Sequence, residues 1–174
     1  MDGGSIPPSS TMRRLCAALI VIVGCGGNSI GVPTSCPQGD FLSVMNDYVD
    51  GSVFIDTPWE PTPKTDLAAA LDAGGVACSY GIQEAEVGAT VLWSTAEAFE
   101  SRREQWQADG QVRVKVPGTD EAWALQETAG SETHLWALNL LVGDVWVHIS
   151  ATFLPDLDSA RRLVEVAQEV IRRA

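Results

Sequence analysis

The chain has 174 residues, of which 45% are hydrophobic and 20% charged, with six tryptophans. That is too apolar and aromatic for disorder and enough for one sizeable core, so a single folded domain is predicted. A formal charge of −12 repels phosphate backbones, and the basic residues fall in scattered pairs (Arg102 with Arg103, Arg113 with Lys115, Arg161 with Arg162, Arg172 with Arg173), which argues against nucleic acid as a partner.

The first 14 residues are polar and end in Arg13-Arg14; residues 15–23 are uninterruptedly apolar, and Gly24-Cys25-Gly26-Gly27 closes the run. A positive region, a short apolar region and small residues make the plan of a secretory signal. The apolar run is about half of the roughly 20 residues needed to cross a bilayer, so it does not read as a permanent span. Ile22-Val23-Gly24-Cys25 resembles the lipobox of bacterial lipoproteins. The resemblance implies a diacylglycerol on the Cys25 thiol, cleavage just before it, and acyl chains that hold the protein on the extracytoplasmic face of the cell membrane. The alternatives are an ordinary cleaved signal or a buried strand. Residues 1–24 are then the signal peptide, 25–37 a lipidated Gly-, Pro- and Ser-rich tether, and 38–174 the domain. Met12, directly before Arg13-Arg14, competes with Met1 as the start.

Four cysteines are present. Cys16 belongs to the leader and Cys25 to the lipid, leaving Cys36 and Cys78 as an even remainder. Export to an oxidising space predicts that they pair, the alternative being two buried thiols. Their spacing lacks the Cys-x-x-Cys or His neighbours of a zinc site.

Within the domain, Asp40 can cap a helix carrying Phe41, Val44, Met45 and Tyr48 at helical spacing. A strand follows over 52–56. Residues 57–65 hold three prolines and Trp59 and are predicted as a surface loop; there Trp59 is either a recognition anchor or tucked back onto the sheet. A short Ala-rich helix over 66–73 stops at Gly74-Gly75. Strands over 76–83 and 87–93 come next, then a helix from Ser94, with Glu97 completing a capping box, to about Ala108. Val112, Val114 and Val116 alternate with Arg113 and Lys115 and turn through 117–120 into a strand over 121–128. Strands over 132–142 and 145–153 flank Gly143-Asp144, a pair suited to a two-residue turn. Pro155-Asp156 opens a C-terminal amphipathic helix whose Leu157, Ala160, Leu163, Val164, Ala167, Val170 and Ile171 form an apolar stripe.

Runs of adjacent strands with short turns predict an α+β fold: a largely antiparallel sheet with helices packed on one face, and one disulfide. The layout and cysteine placement are similar to those of small actinobacterial envelope lipoproteins, mycobacterial ones included, which carry a lipobox and one disulfide and mostly have no assigned function.

Motifs for chemistry are missing: no Gly-x-Ser-x-Gly, no His-Glu-x-x-His, no phosphate-cradling loop followed by Lys, and nothing that implies a cofactor or metal. His134 and His148 are the two histidines. A two-residue turn at Gly143-Asp144 sets Val142 opposite Val145 and His148 opposite Asn139. Val145, Val147, Ile149, Ala151 and Phe153, with Val142, Leu140, Leu138, Trp136 and His134, then share the core face. Trp146, His148, Ser150 and Thr152, with Leu141, Asn139, Ala137 and Leu135, share the other, and the histidines fall on opposite sides. That second face mixes aromatic and hydrogen-bonding groups as partner surfaces do, unless the first helix or the Pro-rich loop covers it. The candidate binding residues are Trp146, His148, Asn139, Leu141 and Trp59. The functional expectation is a non-enzymatic lipid-anchored envelope protein that binds a protein partner or a small apolar ligand. The alternatives are a hydrolase using His148 with a distant carboxylate, and an accessory subunit of an envelope complex.

Overall fold

The turn at Gly143-Asp144 sets the register on which the sheet is built. The structure, a computed structural model, describes Met1 and residues 30–174; the leader and Cys25 lie outside the described residues. Gly143 adopts φ +55°, as a primed two-residue turn requires. The flanking strands, β6 (Glu132–Val142) and β7 (Val145–Ala151), pair Val142 with Val145, Leu140 with Val147 and Asn139 with His148, the predicted register.

In chain order the elements are α1 (Gly39–Tyr48), β1 (Val53–Ile55), α2 (Asp66–Asp72), β2 (Val76–Ile82), β3 (Val87–Thr95), α3 (Ala96–Ala108), β4 (Val112–Arg113), β5 (Glu121–Ala129), β6, β7 and α4 (Arg161–Arg173). The strands form one seven-stranded sheet in the order β1-β2-β3-β7-β6-β5-β4, each neighbouring pair antiparallel. The α+β class, the antiparallel sheet, the C-terminal helix and the disulfide are as expected. Cys36 and Cys78 are bonded with Cα atoms 5.6 Å apart, which ties the segment before α1 to the middle of β2.

The helices divide between two faces instead of sharing one. On the first face, α1 and α4 cover Tyr80, Val91, Trp93, Leu138, Leu140, Val147 and Ile149. Phe41 stacks on Tyr80 at 4.7 Å and meets Trp93 edge-on at 6.0 Å. On the second face, α2 and α3 bring Ala70, Phe99 and Trp106 against Ala77, Leu92 and Trp146. The reason lies in the central strands. Nearly every residue of β7 is buried, on both sides, and a strand apolar on both sides must be covered on both. Gly75 lets α2 approach closely: a Cβ there would stand 2.4 Å from the Trp93 carbonyl oxygen and 2.7 Å from that of Ala70.

Four boundaries depart from expectation. Thr95, not Ser94, caps α3, accepting from the Ala98 amide, because Ser94 still belongs to β3 and donates its hydroxyl to the Ala70 carbonyl at 3.0 Å. Asp40 lies inside the first turn of α1, where it pairs with Arg173, and Gln38 occupies the cap position without a side-chain bond. The helix α4 starts at Arg161, since residues 155–160 are spent on tight turns in which the Ser159 amide donates to Asp156 and the Ala160 amide to the Leu157 carbonyl. The valine-rich segment keeps only Val112 and Arg113 as strand.

A bulge overturns the predicted faces at the start of β6. Leu125 pairs with Ala137 but Gln126 with Leu135, so Trp136 is the extra residue. Leu135 therefore joins the main core at 1% exposure, and Trp136, predicted inside, is 42% exposed.

Candidate functional site

The face singled out from sequence is assembled and covered. Trp146 is fully buried, Asn139 is fully buried, and His148 retains 8% exposure. Leu141 packs against the same cluster. The cover comes from α2, α3 and the Pro-rich loop; of the two covers predicted, the loop takes part, whereas the first helix, α1, lies on the opposite face. Trp59 is tucked back: its indole donates to the Ala77 carbonyl at 3.0 Å and its ring joins the second cluster.

Four of the six tryptophans, Trp59, Trp106, Trp123 and Trp146, gather on this side, and each indole N–H has a partner. Trp106 and Trp146 meet edge-on at 5.5 Å, and Phe99 closes against Trp106 at 4.8 Å. So large an aromatic cluster can be buried only if its polar tips are satisfied.

Beyond the Ala77 carbonyl that takes Trp59, the tips are satisfied by three side-chain acceptors, Asn139, Asp66 and Glu121. An indole can only donate, so the 3.0 Å bond from Trp146 Nε1 identifies the facing Asn139 atom as Oδ1, and Asn139 Nδ2 donates to Gln111 Oε1 at 3.0 Å. His148 Nδ1 lies 2.8 Å from the same Oδ1 and must therefore carry the proton, which leaves Nε2 as the basic nitrogen. Asp66, at the start of α2, stands 3.5 Å from His148 Nδ1. Its carboxylate also accepts from Trp106 Nε1, at 2.9 Å to each oxygen, and from Arg102 Nε at 2.7 Å. Burial pushes the His148 pKa below its ordinary value; the Asp66 carboxylate opposes this, and Arg102 adds to the lowering. The imidazole is neutral.

A second carboxylate, Glu121, closes the far side. It accepts from Trp123 Nε1 at 2.7 Å, from Arg113 at 2.8 Å and from Arg103 Nε and Nη2 at 3.1 and 2.9 Å. Burial raises its pKa, but the Trp123 bond and the two arginines outweigh burial, so it lies below the usual carboxylate range.

Chemically, the network is committed to holding the cluster together. Among the described residues no hydroxyl hydrogen-bonds His148, whose Nδ1 proton goes to Asn139, and Asp66 is shared between two donors, Arg102 and Trp106. The neighbouring hollow, about 310 Å³ and bordered by Ser79, Thr90 and Ser150, opens one same-face rung beyond the Leu92 and His148 pair. No three His, Cys, Asp or Glu side chains among the described residues gather in a metal-binding group.

The exposed aromatic surface lies elsewhere, at the far end of β6. Trp136 packs at a tilt against His134, ring centres 3.9 Å apart, and donates to Glu127 at 3.1 Å. His134 Nε2 is 3.2 Å from the Ala151 carbonyl and so donates to it. The same His134 lines a hollow of about 510 Å³ with Thr133, Thr152, Phe153, Pro155 and Asp156. Sequence reasoning missed this surface because it assigned Trp136 to the core. The Leu125/Gln126 bulge that exposes it has no proline or glycine to announce it.

The chain has no match among families of known proteins, curated proteins or solved structures, so any function must be argued from its own residues.

Proposed function

We propose that this chain is an exported envelope lipoprotein, anchored through Cys25, that binds a protein partner or a small apolar ligand and does not catalyse a reaction. The observation that carries the reading is the Cys36–Cys78 bond, which is typical of an oxidising compartment and accounts for both cysteines that follow position 25 in the chain. Two acyl chains on that thiol, each buried methylene contributing about 0.8 kcal/mol, make a stable anchor. The absence of a helix long and apolar enough to cross a membrane among the described residues is compatible with anchoring by lipid.

Binding is favoured over catalysis because the polar groups around His148 are spent on each other, whereas Trp136 offers a half-exposed ring beside a hollow. The test is crosslinking and affinity recovery from native membranes with the wild type and Trp136→Ala. A loss of at least about tenfold in recovered partner, with an unfolding midpoint shifted by no more than a few degrees, is expected; equal recovery removes Trp136 as the recognition site.

One observation favours a hydrolytic reading, the Asp66 carboxylate beside His148. Ester or amide turnover by the wild type that His148→Gln abolishes, in a variant that remains folded, would establish it.

A further inference from the structure

We infer that the domain stands on the membrane with one fixed polarity: the end formed by the C-terminus of α4 and the β6–β7 turn rests against the phospholipid surface, and the β5–β6 hairpin with Trp136 points away from it. The inference rests on the proposed acylation of Cys25 and adds which surface the lipid bilayer meets.

The point where the chain leaves the domain is well defined. The Gly31 amide donates to the Ile171 carbonyl at 3.0 Å, in the last turn of α4. A Cβ on Gly31 would stand 3.4 Å from Ala174, and the Ile30 side chain reaches within 3.8 Å of where a Cβ on Gly143 would lie. Val32 packs on the main core and Pro33 is buried. Of the expected tether, residues 31–37 are therefore fastened to the domain, and the Tyr80 hydroxyl holds the Pro37 carbonyl at 2.7 Å.

The distance in sequence from there to Cys25 is short. The covalent path from Cys25 to Ile30 can span at most about 18 Å. Against this, β6 runs 11 residues away from the Gly143 turn, roughly 35 Å at strand rise. Turning the domain over, so that the β5–β6 tip touched lipid, would require the tether to reach twice its full extension. Charge does not set the polarity. Arg172 and Arg173 at the anchored end are paired with Glu169 and Asp40, and Asp120 accepts from the Gly143 amide, so that end presents both signs. Length alone holds the orientation, and it should be indifferent to anionic lipid.

The test avoids dependence on natural acylation. Residues 30–174 contain every described element and both cores, so a chain beginning at Cys25 keeps all of them. That chain, isotope-labelled and coupled through the Cys25 thiol to a maleimide phospholipid, is placed in phosphatidylcholine nanodiscs doped with a gadolinium-chelating lipid. Amide relaxation at Gly143 and Asp144 should be enhanced at least about tenfold more than at Gly130 and Ser131, given a separation near 35 Å along the strand. Adding phosphatidylglycerol should leave the ratio unchanged, and inserting a long Gly/Ser stretch after Gly27 should bring it towards one. Equal or reversed enhancement overturns the inference, as does a ratio that survives the insertion. Failure of the acylation reading itself is scored separately, by the mass of the N-terminal peptide of the native protein.

Discussion

The two faces of the sheet are buried by different chemistry. Between the sheet and the helices α1 and α4 the core is almost wholly apolar, with Phe41, Tyr80 and Trp93 at its centre and the Trp93 indole meeting the Ala167 carbonyl at 3.3 Å. Between the sheet and α2 with α3, the aromatic mass is as large but is threaded by Asp66, Asn139, His148 and Glu121. The first face is stabilised by area and packing, and the ionisable groups in its cluster, Tyr48 and Tyr80, are raised by burial above the ordinary value of 10.0, outside the acid range in which the second face titrates. On the second, each indole is placed by a directional bond, so stability there depends on protonation and on every partner being present.

The largest difference should come from truncating the apolar face. Phe41→Ala removes a fully buried ring from between Tyr80 and Trp93 and should cost about 3–5 kcal/mol, read by denaturant unfolding. A loss below about 1 kcal/mol would mean that this core is looser than its contacts imply.

Next comes Asp66→Ala, which strands Arg102, the Trp106 indole and one neighbour of His148 together; about 2–4 kcal/mol is expected. Asp66→Asn, which keeps an acceptor, should lose distinctly less. Equal losses would show that the charge, not the hydrogen bonds, is what the second face needs.

A third test separates the faces by pH. His148 has a folded pKa below the ordinary 6.5, so the unfolded chain takes up the proton first. Its stabilising contribution is complete above about pH 6.5 and is lost as the pH falls from there towards the depressed folded value. Glu121, also lowered, acts in a separate, more acidic window, its contribution present above 4.5 and lost below. His148→Gln should flatten the upper window and leave the lower one intact, as urea unfolding at a series of pH values would show.

The smallest effect on stability belongs to Trp136→Ala. A half-exposed ring outside both cores should be worth under about 1 kcal/mol, even though recovery of a partner depends on it.

Much of this was legible before any coordinates. Gly143-Asp144 dictates a register, and that register placed His148 beside Asn139 and Trp146 on one face. Cys36 and Cys78, the even remainder in the cysteine count, were expected to pair, and they are bonded. What was not legible is the distribution of helices. In α2, Leu67 and Leu71 stand one turn apart among alanines and aspartates, too short a run to say which side of the sheet the helix covers, and α3 spreads Phe99 and Trp106 among charged residues. The contact between Asp66 and His148 depends on that packing and could not be read from either residue's neighbours in the chain. The bulge at Trp136 was hidden for a related reason. In the run Leu135-Trp136-Ala137-Leu138 every residue is apolar, so alternation has no phase to lose.

Mass spectrometry of the protein extracted from the membranes of the cells that make it is the most direct measurement. The expected result is a chain that begins at Cys25 with a diacylglyceryl thioether on its sulfur and Cys36 disulfide-linked to Cys78. A soluble chain still carrying its first 24 residues, with a free thiol at position 25, would contradict it.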